Sequence, residues 1–449
     1  MLQAGIARLD LTPFWGVELT GWGYYIERRW QKIHDPLHAT ALVVDDGERQ
    51  AAIVALDLML IDDRFTRLTR GRISAETGIP PEAILLTCSH SHNAPAAGGL
   101  LGVGECDPFY EDWASRQAAT AAILAWRQRE PVTLACGRID VPDLSFNRTR
   151  PNGVIDPTMT LAELDRRDGS TLAVLANFAA HPTVWTELMP HAVTRDIPGL
   201  VCDSLEAQRP GAIAMYLQGA CGDVNFHRHY QTPERCREPA ERLVSAAKQV
   251  SKNSRTDQGP VRFASEVIRL PTRRWLADEI FGDRREAERR MQSGDISGWR
   301  ESIGRSMTNR PDDMVRRHGG DEAKAVRAMC RFHLEWTEKI IRDLETRPEF
   351  LETEVQAVRI GPLCVAANSS ELFSPFAVSL RHLEIAPELM VACYANGRIG
   401  YLPDAFDIAA KSYAGYQSPK YCNQFPFVAE SGDMFCAATT RVLEGVMRP

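Results

Sequence analysis

In the segment Ala83–Asn93, AILLTCSHSHN, a run of apolar residues leads directly into two histidines. A short apolar run rich in branched side chains predicts a buried strand. His90 and His92 then follow at its carboxyl end. In α/β proteins the carboxyl ends of strands form the edge at which ligands bind. The stretch therefore predicts an α/β fold and a site at one edge of its sheet.

The same pattern, an apolar run followed by polar residues, recurs along the chain. The other runs are Ala51–Leu56, Leu172–Ala176 before His181, Ile213–Leu217 before Gln218–Asn225, Leu363–Ala367 before Glu371, and Val391–Ala395 before Tyr401. Helical patterns separate many of these runs, and alternation of that kind is typical of α/β architecture. We expect a mixed, largely parallel sheet layered with helices, in which several strand ends converge on one site.

Residues 272–346 differ from the rest of the chain, because they are rich in Arg, Glu, Asp and Met and poor in β-branched residues. Apolar residues recur at helical spacing over Glu322–Thr346. We interpret 272–346 as a helical insertion in a single domain that spans 1–449. It forms either a solvated hairpin on the surface or a lid over the site, since long insertions often carry function.

Composition and charge restrict the class of protein. Of the 449 residues, 44% are hydrophobic and 25% are charged, which is typical of a globular chain and excludes a mostly disordered one. The net charge of −7, without a basic stripe, argues against a nucleic-acid partner. No apolar stretch is long enough for stable membrane insertion. Eleven cysteines without CxxC pairs, and no visible leader, favour a cytoplasmic protein. We expect a small-molecule substrate, and the oligomeric state stays open.

The residue types at the strand ends suit zinc. His90 and His181 offer imidazole nitrogens and Glu371 offers a carboxylate oxygen, a first coordination shell that recurs in catalytic zinc sites with an open position for water. One Zn²⁺ per chain would bring the pKa of that water toward neutrality. His92 shares a face with His90 on extended backbone. It can therefore reach the same site, either as a ligand or as a hydrogen-bonding partner of the substrate or of a developing oxyanion.

Several of these segments together resemble the neutral, non-lysosomal ceramidases. The similar segments, in chain order, are Gly5–Pro13, His34–Leu37, Thr87–Pro95, Asn147–Arg148, Asn177–Thr183, Gln218–Asn225, Ser370–Arg381 and Asn396–Tyr401. The resemblance covers most of the chain except the helical insertion. It implies an amide hydrolase with the ceramidase catalytic fold. Since the chain ends soon after the Tyr401 region, we expect no C-terminal immunoglobulin-like domain of the kind found in full-length ceramidases.

The resemblance also implies roles for individual residues. The zinc ligands would be His90, His181, Glu371 and Tyr401, and the catalytic residues that contact the substrate would be His92, Arg148 and Tyr416. We assign Asn225, Tyr413 and Arg398 to substrate binding, the last because it lies on a loop near the expected site. Asn225 departs from the loop serine of the family. Because asparagine cannot form an acyl-enzyme, we expect direct attack by water.

These expectations predict a zinc-dependent hydrolase that cleaves the amide bond of an N-acyl compound by zinc-activated water. The substrate is expected to be smaller and more polar than ceramide. The first alternative is a zinc-dependent esterase or lactonase, because the same water would attack either bond. The second is a non-catalytic homologue that keeps the fold and binds a metal or a ligand.

Overall fold

The structure of the protein, a computed structural model, describes residues 1–250, 254–302 and 311–448. The strands, in chain order, are β1 (Gln3–Asp10), β2 (Lys32–Ile33), β3 (His38–Asp45), β4 (Gln50–Leu56), β5 (Ile84–Cys88), β6 (Glu130–Asp140), β7 (Ser145–Asn147), β8 (Thr158–Arg166), β9 (Thr171–Phe178), β10 (Ala192–Val193), β11 (Ile213–Gln218), β12 (Val224–Phe226), β13 (Ser254–Thr256), β14 (Val261–Pro271), β15 (Phe350–Ile360), β16 (Leu363–Asn368), β17 (Ser370–Leu372), β18 (Glu388–Ala392) and β19 (Gly400–Leu402).

The helices are α1 (Asp63–Thr77), α2 (Pro108–Arg127), α3 (Val184–Leu188), α4 (Asp196–Ala207), α5 (Glu238–Gln249), α6 (Ala277–Ser293), α7 (Trp299–Ser302), α8 (Pro311–Arg317), α9 (Glu322–Arg342), α10 (Ser374–His382), α11 (Ala405–Ala409), α12 (Ser418–Tyr421) and α13 (Ser431–Met447). Short 3₁₀ segments cover Pro81–Ala83 and Arg228–Tyr230, and a π-helical turn covers Tyr413–Gln417. Within the described ranges, no helix combines the length and apolar character needed to cross a bilayer.

The large sheet has the strand order β11-β9-β8-β6-β1-β3-β4-β5, with β13 paired to β6. Its two edges are parallel, β4 with β5 and β9 with β11. The pairs between them are antiparallel. The expectation of a mixed sheet with helices is confirmed, but the expectation that it is largely parallel is wrong. Connections as short as those between β3 and β4 and between β8 and β9 cannot make the crossover that parallel neighbours need.

A second sheet has the order β14-β15-β16-β18. Its β14–β15 ladder runs without interruption from Val261 opposite Ile360 to Pro271 opposite Phe350. The chain between these strands forms α6, α7, α8 and α9. We call this part of the chain, from α6 to α9, the helical segment. It leaves and rejoins the sheet at the same end of the β14–β15 pair. The helix expected over Glu322–Thr346 is α9, which ends at Arg342.

The apolar runs that predicted strands lie in β4, β5, β9, β11 and β16, with boundaries within two residues of the expected ones. The run Val391–Ala395 differs, because β18 ends at Ala392. Tyr394 and Asn396 have φ values of 54° and 61°, in the left-handed region. The segment turns away from β18 and pairs with the end of β5, where Ala395 bridges Thr87. This crossing joins the carboxyl ends of strands from the two sheets.

Two hydrophobic clusters hold the molecule together. The larger lies on the two sheets and the helices that cover them. The smaller is built by the helical segment, with Trp275, Trp336 and Phe332 packed against Tyr24 and Tyr421 of the body. The helical segment thus has an apolar face of its own, which it buries against the body of the protein.

Candidate active site

His90 stands on the first turn after β5, in a backbone conformation that a non-glycine residue rarely adopts. Its φ is 64°, in the left-handed region. The backbone N–H of Ser89 donates to Leu56 O and that of His90 donates to Leu58 O, so the turn is tied to the chain after β4. The His90 ring stacks on Tyr394, with 3.8 Å between ring centroids. The surrounding contacts therefore hold this conformation and fix the direction of the imidazole.

His181 and Glu371 are placed by short pairings that follow larger strands. After β9, the backbone N–H of His181 donates to Val224 O, and His181 bridges Asn225 in parallel. Glu371 lies in β17, which pairs in parallel with β19 so that Glu371 is opposite Tyr401. The Gly222 N–H donates to Leu372 O, which brings the loop after β11 onto β17. A Cβ at Gly222 would lie 2.5 Å from Glu371 O, so this approach requires glycine.

Four side-chain atoms converge at the carboxyl ends of these strands. His90 Nε2 lies 3.1 Å from His181 Nε2 and 3.2 Å from His92 Nε2. Glu371 Oε2 lies 3.4 Å from His90 Nε2 and 3.5 Å from His181 Nε2. All four side chains are buried. We call His90, His92, His181 and Glu371 the histidine cluster, and the spacing of its three imidazoles is one that can hold a metal ion.

The outer nitrogens of two of these rings identify where their protons lie. His90 Nδ1 is 2.9 Å from Met59 O, and His181 Nδ1 is 2.7 Å from Cys221 O. Because a carbonyl only accepts, each Nδ1 must donate, and the Nε2 of a neutral ring then carries a lone pair. A metal-binding histidine is usually oriented in this way by a carbonyl or a carboxylate. The two Nε2 lone pairs point at the same place.

Burial lowers the pKa of two of the cluster histidines, His181 and His92. Burial lowers the pKa of His181 to about 3, with a further contribution from the charge of Arg148. The pKa of His92 is well below its ordinary value, through burial and then through the neighbouring His90 and His181. Neutral imidazoles beside a carboxylate are the protonation states in which these groups bind a metal.

The spacing of these residues could hold a metal ion. With metal–nitrogen distances of about 2.0–2.1 Å, tetrahedral ligand atoms stand about 3.3 Å apart. The separations of 3.1–3.5 Å bracket that value. Across the described ranges, the buried Glu371 Oε2 has no hydrogen-bond donor. A buried carboxylate oxygen that points into a group of lone pairs needs a cation, because leaving it unpaired costs several kcal/mol.

His92 differs from the other two histidines. Its Nδ1 is buried, and no group in the described part of the chain hydrogen-bonds to it. Unlike His90 and His181, it therefore lacks the carbonyl that orients a ligand imidazole. Its ring forms part of the wall of a pocket beside the cluster. These two features distinguish His92 within the cluster.

Arg148 and Tyr401 form the next layer of the site. Arg148 Nη2 donates to Tyr401 Oη at 2.8 Å, and the same guanidinium donates twice to Gly222 O. The Tyr401 ring lies parallel to that of His181, with 6.5 Å between centroids. Tyr413 meets Tyr401 edge-on at 5.7 Å. Arg148 thus holds the Tyr401 hydroxyl next to the histidine cluster.

The pocket beside the cluster has a volume of about 120 Å³ and is mostly polar. Its walls are Gly21, Trp22, Gly23, His92, Arg148, Thr183, Glu187, Asn225, Arg228, Gln231, Asp313, Arg316, Tyr401 and Tyr413. Asp313 and Arg316 come from α8, so the helical segment contributes part of the wall. We call this space the site pocket.

Two of the residues expected at the site lie elsewhere. Arg398 donates to the backbone carbonyls of Gly98 and Gly99, on a loop that is not part of the pocket wall. The ring of Tyr416 packs against Trp275 and under the ammonium of Lys420, inside the smaller hydrophobic cluster. The other expected residues, His90, His92, His181, Glu371, Arg148, Tyr401, Tyr413 and Asn225, are brought together in the cluster or in the pocket wall.

Sequence reasoning missed several groups of the site. Tyr394 stacks on His90, and its hydroxyl lies 3.0 Å from Cys221 Sγ. It belongs to the apolar run Val391–Ala395, which predicted a strand and gave no sign of a role at the site. Glu187 reaches the pocket from the short helix α3, which carries no motif. The carbonyls of Met59 and Cys221 leave no signal in the sequence at all, because any residue provides a backbone carbonyl.

Comparison with known proteins identifies the fold. No protein-family model matches the chain, and no curated protein is similar to it in sequence. Among solved structures, the neutral ceramidase from Pseudomonas aeruginosa is similar with a TM-score of 0.72 at 17% identity, over 99% of this chain and 74% of that one. A ceramidase complexed with C2 is similar with the same TM-score of 0.72 at 16% identity, over 99% and 75% of the two chains. The resemblance to neutral ceramidases is thus confirmed as a structural match over nearly the whole chain.

Proposed function

We propose that this protein is a zinc-dependent hydrolase that cleaves the amide bond of an N-acyl compound. One observation carries the proposal, the convergence of the His90 and His181 lone pairs and Glu371 Oε2 beside a polar pocket. The structural similarity to a protein described as a neutral ceramidase supports the same reaction class.

His90, His181 and Glu371 would hold the metal ion. Tyr401 is proposed as a further ligand because it stands opposite Glu371 in the β17–β19 pair, as the family resemblance implies. When bound, zinc supplies a Lewis acid that polarises the substrate carbonyl and activates water. Arg148 keeps the Tyr401 hydroxyl in place through its hydrogen bond of 2.8 Å.

His92 is proposed as a catalytic residue rather than a ligand. Its Nδ1 has no partner in the described residues, and its ring faces the site pocket. Nδ1 is therefore the ring atom available to exchange a proton with the substrate or to donate to its carbonyl oxygen. A neutral imidazole suits this role because it can both accept and donate a proton.

A thiol nucleophile at this site is disfavoured by the environment of Cys221. This side chain is buried, with its Sγ 3.0 Å from the Tyr394 hydroxyl. Burial raises the pKa of the Cys221 thiol well above its ordinary value, so the thiolate that would attack is scarce. With asparagine at 225, the neighbouring loop supplies no hydroxyl either. We therefore propose direct attack by water, without an acyl-enzyme.

The proposal is tested by metal analysis combined with hydrolysis of a panel of N-acyl compounds. We expect about one zinc per purified chain, loss of hydrolysis on chelation, and recovery on adding zinc back. Mass spectrometry during turnover should find no acyl adduct on any serine or cysteine. A chain that retains full hydrolysis after complete removal of the metal would contradict the proposal.

A further inference from the structure

Asn225 has a buried side-chain acceptor beside the site pocket that no donor in the described residues uses. It lies in β12 and bridges His181 in parallel, which places the two backbones about one strand spacing apart, roughly 4.8 Å. Its side chain forms part of the pocket wall. The Oδ1 atom is buried, and the described residues place no donor within hydrogen-bond distance of it. A donor brought by a ligand would satisfy this atom.

The position of this acceptor favours one kind of scissile bond. A secondary amide carries an N–H directly next to its carbonyl carbon, whereas the corresponding ester carries an oxygen without a hydrogen. A substrate carbonyl held at the histidine cluster would place that neighbouring group in the adjoining site pocket, which Asn225 also lines. An ester would leave Oδ1 unpaired and would bring a second acceptor against it, and such mismatches are strongly discriminated in buried sites.

The opposite side of the pocket is formed by ion pairs instead of apolar side chains. Arg316 of α8 lies 2.8 Å from Glu187 and 3.1 Å from Asp313. Arg317 lies 2.6 Å from the same Glu187, with its guanidinium 4.2 Å from the centre of the Trp22 ring. The carboxylate of Glu187 in α3 thus forms ion pairs with Arg316 and Arg317 of α8 across the pocket. We call these ion pairs the clasp.

The size and polarity of this space limit the substrate. A volume of about 120 Å³ is well below the roughly 300–1,000 Å³ of pockets that enclose drug-sized ligands. A long alkyl chain would have to displace the clasp and lie against charged groups, and burying charge against an alkyl chain is unfavourable. Short, polar groups can instead hydrogen-bond to the same walls.

We infer that the site pocket takes a short, polar secondary amide, with its N–H held by Asn225 Oδ1 and its length limited by the clasp between α8 and Glu187. The inference rests on the proposed hydrolase function and names its substrate class. Asn225 is a specificity-determining residue in this scheme, and Glu187 acts through α8 as a positioning residue.

The test uses four substrates. Two are amides, one with a short polar acyl chain and one with a long alkyl acyl chain. The other two are the esters with the same acyl chains and the corresponding alcohol in place of the amine. Zinc-loaded wild-type protein should hydrolyse the short amide with a kcat/KM at least about tenfold above that of the long amide. Asn225→Leu removes the acceptor at similar size. It should lower kcat/KM for the short amide roughly ten- to hundredfold and raise kcat/KM for the ester, because the acceptor that opposes the ester oxygen is removed. Asn225→Ser, which keeps an acceptor, should retain part of the amide rate.

Glu187→Gln should lower the ratio of kcat/KM for the short amide to kcat/KM for the long amide, because the contacts of this side chain with Arg316 and Arg317 weaken. The matched control is Glu288→Gln, which alters an exposed ion pair with Arg284 on α6 and should leave all four rates unchanged. Equal loss of amide and ester hydrolysis in Asn225→Leu would overturn the role of Asn225. Faster hydrolysis of the long amide by the wild type would overturn the size limit. If the long amide is preferred, this inference fails while the proposed amide hydrolase stands; if only esters or none of the four substrates are cleaved, the proposed function fails and this inference with it.

Discussion

At the scale of single residues, the tautomers of His90 and His181 define the site. Each ring is anchored by its Nδ1 to a backbone carbonyl, so its Nε2 is a preoriented lone pair. We predict that the His90→Ala, His181→Ala double variant loses both hydrolysis and zinc, from about one ion per chain to almost none. Metal content by mass spectrometry checks this.

The control for the double variant is His382→Ala, since His382 is an exposed histidine at the end of α10. It should keep zinc and activity. Full zinc occupancy in the double variant would mean that the metal lies somewhere other than the histidine cluster.

Arg148 bridges the pocket wall and the loop after β11, because its guanidinium donates to Tyr401 and to Gly222 O at once. We predict that Arg148→Lys lowers kcat/KM about ten- to hundredfold, because an ammonium cannot reproduce the fork of donors. Arg235→Lys, in an exposed pair with Glu238, is the matched control and should behave like the wild type. A kcat/KM in Arg148→Lys within twofold of the wild type would show that Arg148 does not contribute to hydrolysis.

At the scale of elements, Glu279 fixes the beginning of α6. Its carboxylate accepts from the Leu276 backbone N–H at 3.0 Å and pairs with Arg273 at 2.8 Å and Lys411 at 2.9 Å. Burial opposes ionisation, but these contacts prevail and lower the pKa of Glu279 to about 2 from an ordinary value of 4.5. The folded state therefore holds this proton less tightly than the unfolded chain does.

The sign of the pH effect follows from that difference. The stabilisation by Glu279 is fully present above pH 4.5 and is lost as the pH falls from 4.5 toward 2. We predict that Glu279→Gln lowers the free energy of unfolding by about 1–2 kcal/mol at pH 7, discounted for the exposure of its partners, and by progressively less below pH 4.5. Urea unfolding over pH measures the difference, and one that stays constant down to pH 3 would contradict the assignment. Glu335→Gln, in an exposed pair on α9, should remain close to the wild type throughout.

At the scale of the whole molecule, Lys420 ties the helical segment to the turn that carries Tyr413. Its ammonium is buried, lies 2.6 Å from Asp283 of α6, and sits 4.9 Å from the centre of the Trp336 ring of α9. We predict that Lys420→Met destabilises the protein by about 2–4 kcal/mol, because Asp283 loses a permanent cation and is left beside His333, an imidazole whose pKa is lowered by burial. Lys339→Met, in an exposed pair on α9, should change stability by less than about 0.5 kcal/mol. Equal effects of the two substitutions in urea unfolding would show that the buried pair contributes nothing.

The positions of individual strands and helices were predictable from the sequence, because they depend on residues that are neighbours along the chain. The apolar runs ending before His90, His181 and Glu371 lie in β5, β9 and β16, and the helical spacing after Glu322 is α9. The direction of the strands was not predictable in the same way. The sheet is antiparallel through its middle, since connection length, and not strand composition, decides which neighbours can be parallel.

The order of residues along the chain shows which side chains stand at strand ends, and it predicts that histidines and a glutamate meet at one edge. Only the tertiary structure decided how they meet: the crossing from β18 to β5 that stacks Tyr394 on His90, the carbonyls that orient two of the three imidazoles, and the placement of Arg398 and Tyr416 away from the pocket. The physical reason is that strand periodicity acts over neighbouring residues. Ring orientation, lone-pair direction and pocket walls arise instead from contacts between segments up to hundreds of residues apart.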